Sequence, residues 1–331
     1  MATFKALVVE KSADGKFIRH LAERSVEALP AGDVLIDVRY SSLNYKDGLS
    51  ATGNPGVTRN FPHTPGIDAV GTVIDSRSAS FGAGDDVIVI GFDLGMNTPG
   101  GFGQRIRVPA EWVVKRPAGL SALDSMILGT AGFTAALAID KLEGAGMRPK
   151  QGPVLVTGAT GGVGSVAVLL LAKLGYEVAA VTGKANQHGF LKSLGATEIL
   201  SREALAEGTG KPLLKERWAG VVDTVGGDLL FNGVKSLRYG CSLAACGLVA
   251  SPQFAATVLP FILRHVNLLG VDSVQLPLAE KARIWGKLAE PWKLERLAEL
   301  KVDFSLATIS GGIDRILAGD MVGRGVLDLR A

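Results

Sequence analysis

The stretch "GPVLVTGATGGVGSVAVLLLAKLGYEVAAVTGK", residues 152–184, decides the fold. "GPVLVTG" reads as an apolar strand, "GGVGSVAVLLLAKLG" as a helix and "EVAAVTG" as a second strand. Between the first strand and the helix stand Gly158, Gly161 and Gly164, with Gly162 added. The spacing is G-x-x-G-x-x-G, and Ala159 occupies the place a strict G-x-G-x-x-G motif gives to glycine. Glycines at such a turn let the chain tighten, let backbone N–H groups approach a pyrophosphate and let helix pack on strand. The helix N-terminus adds partial positive charge toward that phosphate. A bare glycine pattern is weak, but strand, turn, helix and strand in this order favour dinucleotide binding over a merely structural turn.

The end of the second strand distinguishes the dinucleotides. A site for NAD usually carries Asp or Glu there, accepting from the ribose 2′-hydroxyl. This chain has Thr182, Gly183 and Lys184 and no acid. A carboxylate would repel a 2′-phosphate, whereas the Lys184 ammonium attracts one. The alternative is an exposed loop lysine; position and missing acid together predict NADPH. Arg202, in "ILSREAL", is a weaker candidate for a second cation.

Outward from this unit the strand–helix alternation continues from Gln151 to Ser273, which implies a parallel sheet with crossover helices. Before about residue 120 the text changes. "FKALVVE", "DVLIDVRY", "AVGTVIDS", "DDVIVIG" and "GFGQRIRVP" are short alternating runs punctuated by Gly and Pro, the pattern of a compact β-barrel-like domain. Ser121, three residues before Asp124, is a helix N-cap candidate. After Ser273 the chain is helical again and closes on "GRGVLDLR".

The 331 residues suffice for two domains, and 47% hydrophobic with 20% charged residues is a globular composition. A net charge of +3 with scattered basic residues argues against a nucleic-acid footprint. Cys241 and Cys246 sit in an apolar run and are expected to be buried, reduced thiols. No run is seen to approach the ~20 apolar residues of a membrane span, and "MATFKALVVE" lacks the pattern of a secretory signal. No membrane partner and a cytoplasmic location are therefore expected.

"PGIDAVGTV", "GTAGFTAALAI", the glycine unit, "DTVGG" and "GRGVLDL" together resemble the medium-chain dehydrogenase/reductase superfamily over essentially the whole chain. "SSLNYKDGLSATG", "RNFPHTPGID" and "FLKSLGATEIL" resemble its zinc-free, quinone oxidoreductase-like branch, most closely the NADPH-dependent acrylyl-CoA reductases. The resemblance implies an α/β fold, a Rossmann doubly wound parallel sheet plus a GroES-like β-barrel catalytic lobe. Its domains would be 1–125 (GroES-like), 126–273 (Rossmann, NADP-binding) and 274–331 (returning to the catalytic domain). It also implies a homodimer, with "NLLGVDS" near the interface, and an active site in the cleft between lobes. Zinc-dependent relatives place a Cys where this chain has Asn44, and a Gly-His-Glu where it has Gly66, Ile67 and Asp68. Ile67 cannot ligate a metal, and His20, His63, His188 and His265 lack ligand spacing. The chain is read as metal-free.

The resemblance places cofactor contacts at Thr160, Gly161, Gly162 and Val163, at Thr182, Gly183 and Lys184, and at Arg202, Leu248 and Ser273. It puts Tyr45 beside the nicotinamide. The expected reaction is reduction of a carbon–carbon double bond conjugated to a carbonyl, hydride going to the β carbon and a proton to the α carbon. The catalytic candidates are Tyr45, as hydrogen-bond donor or proton relay, and Asn44, orienting substrate or ribose. A packing and cofactor-positioning role is the alternative for Tyr45. Lys46 and Asp47 read as a local charge pair, Asp68 as a structural acceptor and His63 as a loop residue. Arg324 is the candidate for a CoA phosphate, with Arg59 and Arg105 as others. The expected substrate is a short acyl-CoA or other activated alkene. A quinone or enal reductase is the alternative enzyme, and a cofactor-binding protein without turnover is the alternative of a different class.

Overall fold

The structure, a computed structural model, describes residues 2–331. The chain divides into two compact units: one runs to Thr130 and resumes at Ser273–Ala331, the other is Ala131–Asp272. The sequence boundary at 125/126 differs from this division by a few residues.

The first unit begins with the antiparallel pair β1 (Thr3–Lys11) and β2 (Phe17–Ser25). Its main sheet is built on β3 (Val34–Leu43), where Val34, Ile36 and Val38 are buried in the core and Leu35 and Asp37 stand between them, half-buried. This period-2 alternation is what a half-buried strand requires. After β3 come α1 (Tyr45–Ala51), β4 (Asp68–Ser76), β5 (Asp86–Ile90), β6 (Arg105–Val108) and β7 (Val113–Lys115). The long helix α2 (Ala122–Gly144) leaves the unit; Ser121 Oγ accepts from the Asp124 N–H at 3.0 Å, the cap the sequence predicts.

By length and composition α2 could cross a membrane, contrary to the sequence expectation that no run comes close. It is a core helix instead: 78% of its most apolar window is buried inside the protein. It is broken at Gly129, whose φ of +50° lies in the left-handed region.

The second unit continues with β8 (Val154–Val156), α3 (Gly162–Lys173), β9 (Val178–Val181), α4 (His188–Ser193), β10 (Glu198–Leu200), α5 (Arg202–Ala206), β11 (Trp218–Asp223), α6 (Gly227–Lys235), β12 (Leu237–Ala245), α7 (Leu259–Arg264) and β13 (Asn267–Gly270). Its six strands are all parallel in the order β10-β9-β8-β11-β12-β13. This is the doubly wound dinucleotide-binding order, with the direction of winding reversing between β8 and β11. Central strands of such a sheet are covered on both faces, and every residue of β11 is buried.

The chain then returns to the first unit through α8 (Leu278–Ala289), β14 (Lys301–Ser305), α9 (Ile309–Leu317) and β15 (Arg324–Asp328). β15 pairs antiparallel with β3 and parallel with β14, completing the order β14-β15-β3-β4-β5-β7, with β6 also on β3. The return therefore sets β15 directly beside the strand that leads into α1.

Candidate active site

In the second unit, the loop between β8 and α3 is held by its neighbours. Ala159 N–H donates to Val181 O at 3.0 Å, and Gly161 N–H to Gly158 O at 2.9 Å. Gly164 cannot be replaced without movement, since a Cβ there would sit 2.3 Å from Gly158 O. The glycines thus serve the close helix–loop approach that a pyrophosphate turn needs. At the end of β11, Asp223 accepts from Thr157 Oγ1 at 2.7 Å and Gly226 N–H at 2.8 Å; burial pushes its carboxyl pKa up. The same strand end holds Cys246, whose Sγ donates to Asp223 O at 3.2 Å. Cys246 and Cys241 are free and only partly buried. Burial raises the Cys246 thiol pKa to about 12, so it is not a reactive thiolate.

The end of β9 gathers the polar residues predicted for the cofactor. Thr160 Oγ1 and Thr182 Oγ1 lie 3.4 Å apart, and Lys184 N–H donates to Thr182 Oγ1 at 3.0 Å. Arg202, the first residue of α5, lays its guanidinium over Gly183: a Cβ at 183 would meet Cζ at 2.8 Å. Ser201 caps that helix, accepting from Ala204 N–H at 3.2 Å. Two residues separated by 18 positions in sequence, Lys184 and Arg202, therefore bring cations to one strand end. The cradle fits a dinucleotide carrying a 2′-phosphate, because hydroxyls and the Arg202 guanidinium stand where an acid would otherwise be, with Lys184 in the same loop. Leu248 lies exposed in the segment after β12.

In the first unit, β3 departs from alternation at Ser41 and Ser42, both fully buried, and runs into a buried polar knot. Its hub is Asp68, at the start of β4. Asp68 Oδ2 accepts from Asn44 Nδ2 at 2.8 Å, from Thr130 N–H at 2.9 Å and from the Ser42 hydroxyl; Oδ1 accepts from the Thr130 hydroxyl. Ser41 Oγ donates to Asp68 O at 2.6 Å. Asp47 is wholly buried and accepts from Asn44 N–H at 2.7 Å, Ile67 N–H at 2.8 Å and Gly66 N–H at 3.2 Å. Burial first, and the Asp68 charge second, raise its pKa to about 7.

Arg324, the first residue of β15, is also buried here. Its Nε donates to Ile127 O at 2.9 Å, and its Nη1 lies 3.4 Å from both Leu43 O and Asn44 Oδ1. Burial lowers its pKa, while Asp68 and Asp47 oppose that shift. Two sequence expectations are corrected by this knot. Arg324 has no face for a CoA phosphate, because burial leaves it 2% exposed. Asp47 is not half of a solvated charge pair with Lys46 but the acceptor that ties α1 to the Gly66–Ile67 turn. Asn44 has both ends of its amide engaged within the knot, so the arrangement gives it a holding role. Tyr45 begins α1, and its side chain remains 41% exposed. Ser273 is buried at the start of the C-terminal part of the same unit.

These residues do not fit a metal. Ile67 is aliphatic and buried, the Asn44 amide is engaged, and the Asp68 carboxylate is filled by four donors. His63 is buried with Nε2 at 3.0 Å from Gly95 O, and burial lowers its pKa. The sequence reading of Asp68 as a structural acceptor agrees with its four donors, but that reading missed the tie that Asp47 makes to the Gly66–Ile67 turn. A signal for Asp47 was present: Asn44 three residues before it is the spacing of a capping box.

Comparison with known proteins agrees with both units. Residues 30–118 match the alcohol dehydrogenase GroES-like domain, and residues 162–285 match the zinc-binding dehydrogenase family. The chain is 45% identical over 329 residues to the acrylyl-CoA reductase AcuI of Ruegeria pomeroyi, covering 99% of this chain and 100% of that one. It is 43% identical to YhfP of Bacillus subtilis, which bears the name of a quinone oxidoreductase, over 98% of this chain and 99% of that one. The crystal structure of the yhdH oxidoreductase from Salmonella enterica in complex with NADP superposes with a TM-score of 0.95 at 47% identity, covering 98% of this chain and 99% of that one. YhfP with NAD bound superposes with a TM-score of 0.97, covering 99% of this chain and 100% of that one.

Proposed function

The chain belongs to the medium-chain dehydrogenase/reductase superfamily, and from that premise we propose that it reduces the double bond of a short enoyl-CoA, acrylyl-CoA to propionyl-CoA, with NADPH. The observation that carries the reaction is the likeness to an acrylyl-CoA reductase over nearly the full length of both chains. The choice of NADPH is supported by Lys184 standing at the end of β9, where the sequence has no acid, and by the Arg202 guanidinium lying against Gly183 beside it.

When bound, NADPH supplies the hydride. The loop from Thr160 to Val163 offers the N-terminus of α3 to the pyrophosphate. Thr182, Gly183, Lys184 and Arg202 receive the phosphorylated ribose. Tyr45, exposed at the start of α1, presents its hydroxyl to the substrate carbonyl or passes a proton to the α carbon. The knot of Asn44, Asp47, Asp68 and Arg324 holds α1 in place beneath it. No metal takes part, since reduction of a conjugated alkene needs no Lewis acid on an alcohol oxygen.

The second reading, a quinone or enal reductase, is favoured by the likeness to YhfP. Steady-state rates with acrylyl-CoA, crotonyl-CoA, acrolein and a benzoquinone separate the two. The enoyl-CoA reading expects acrylyl-CoA to have the highest kcat/KM; equal efficiency with CoA-free acceptors overturns it.

We also infer a cytoplasmic homodimer. β13 is the edge of the six-stranded sheet and carries exposed Leu268, and Val258, Ile262 and Leu263 are exposed at and within the preceding helix α7. An open edge flanked by apolar side chains suits pairing with a second copy. The two free thiols suit a reducing compartment.

A further inference from the structure

α8 carries an apolar stripe of Ile284, Trp285 and Leu288, and the residue that continues this stripe one turn earlier is Lys281, fully buried. Placing an ammonium at such a position carries a desolvation cost that methionine of similar reach would avoid. Its surroundings show what the charge is used for. Nζ donates to Ile90 O at 2.8 Å and to Val274 O at 2.9 Å. It also lies 3.5 Å from the centroid of the Phe92 ring, a cation–π contact in a buried setting. Phe92 is itself unusual, with a φ of +52°; its N–H donates to the same Val274 O at 3.1 Å, and its ring stacks on Trp112. Gly91 completes the clamp, since a Cβ there would meet the Val274 backbone at 2.9 Å and Nζ at 3.1 Å. Val274 O is thus gripped by two donors, one from α8 and one from the turn after β5.

The residue immediately before Val274 is Ser273. We propose that Lys281 is a positioning residue for the nicotinamide cofactor: by clamping Val274 against Ile90 and Phe92, it fixes Ser273 where it contacts the dinucleotide. This rests on the reading of Ser273 as a cofactor contact. A lysine suits the task because one ammonium donates to two carbonyls from different parts of the chain at once. A hydrophobic residue would fill the space but take one donor from each carbonyl, leaving the Phe92 N–H alone of the two donors gripping Val274 O.

The test is a double-mutant cycle on the intact protein, with Lys281→Met, Ser273→Ala and the pair, measuring KM for NADPH and kcat with acrylyl-CoA. Lys281→Met is expected to raise KM for NADPH about tenfold with kcat within about twofold, and Ser273→Ala to do the same. The double variant should be no worse than Ser273→Ala, because both changes remove one interaction. Lys281→Arg, which keeps a cation with several donors, should recover part of the loss. A folded Lys281→Met with unchanged KM, or losses that add in the double variant, overturns the proposal and leaves Lys281 a stability residue. Should Ser273→Ala alone leave KM unchanged, the cofactor reading of Ser273 fails and the proposal fails with it. Should Lys281→Met not fold, Phe92→Leu carries the test. It removes the ring from the clamp and should raise KM for NADPH in the same direction, and no rise overturns the proposal.

Discussion

Removing the two cations at the end of β9 should convert an NADPH enzyme into one that no longer distinguishes the two nicotinamide cofactors. Lys184 is half-buried, and Arg202 is exposed with its guanidinium laid over Gly183. A hydrogen bond to a charged group contributes about 1.5–3 kcal/mol, and solvent access places these two toward the lower end. Each of Lys184→Ala and Arg202→Ala should then raise KM for NADPH about tenfold, and the double variant on the order of a hundredfold. The 2′-hydroxyl of NADH carries no charge, so KM for NADH should stay within about twofold. Gly183→Ala supplies a geometric control, because the added methyl would meet Arg202 Cζ at 2.8 Å and displace the guanidinium while leaving its charge in place. It should behave as a weak Arg202→Ala. Initial rates at saturating acrylyl-CoA, with NADPH binding followed independently by its fluorescence, read both effects. Raised salt should weaken NADPH binding to the wild type and barely change the double variant. Equal losses for NADH and NADPH would mean that these residues hold the strand end together rather than read the phosphate.

Tyr45→Phe should lower kcat by about 10² if its hydroxyl donates in the transition state, while NADPH affinity measured by fluorescence stays near normal; full turnover would remove the hydroxyl from the mechanism. Asp47 has a folded pKa raised from 3.8 to about 7, so the folded state holds a proton that the unfolded state releases between those values. Stability should therefore fall as pH rises from about 4 to about 7 and level off above, by up to about 4 kcal/mol from this group. Urea titrations across that range should show a shallower fall for Asp47→Asn than for wild type, and parallel curves would contradict the assignment. If the chain dimerises as proposed, Ile262→Asp with Leu263→Asp should give a species of 34.5 kDa by light scattering where the unsubstituted protein gives twice that mass, and an unchanged doubled mass would place the interface elsewhere.

The glycine turn, the strand end at Thr182–Lys184 and the family were legible in the sequence because each rests on local order. A βαβ unit is contiguous, and a strand end is located by the apolar run before it. Even the absence of a metal-site residue at Ile67 needed only the identity of one side chain. Asp68 was legible as a structural acceptor, but its donors, and the roles of Asp47, Arg324 and Lys281, were not. Arg324, flanked by glycines at the start of a strand, has the text of an exposed residue. It is buried because β15 pairs with β3 and turns the guanidinium inward toward Leu43, Asn44 and Ile127. Asp68 becomes a hub only when β3, α1, β4 and the break in α2 converge on it. Lys281 sits in an apolar stripe, where pattern alone assigns a hydrophobe; the two carbonyls and the ring that accept its charge come from residues about 190 positions away and from the segment just before its own helix. Local periodicity determines which elements form and where a phosphate can be met. The fate of a buried charge depends on partners distant in sequence, because only the folded chain decides which donors and acceptors replace the water it loses.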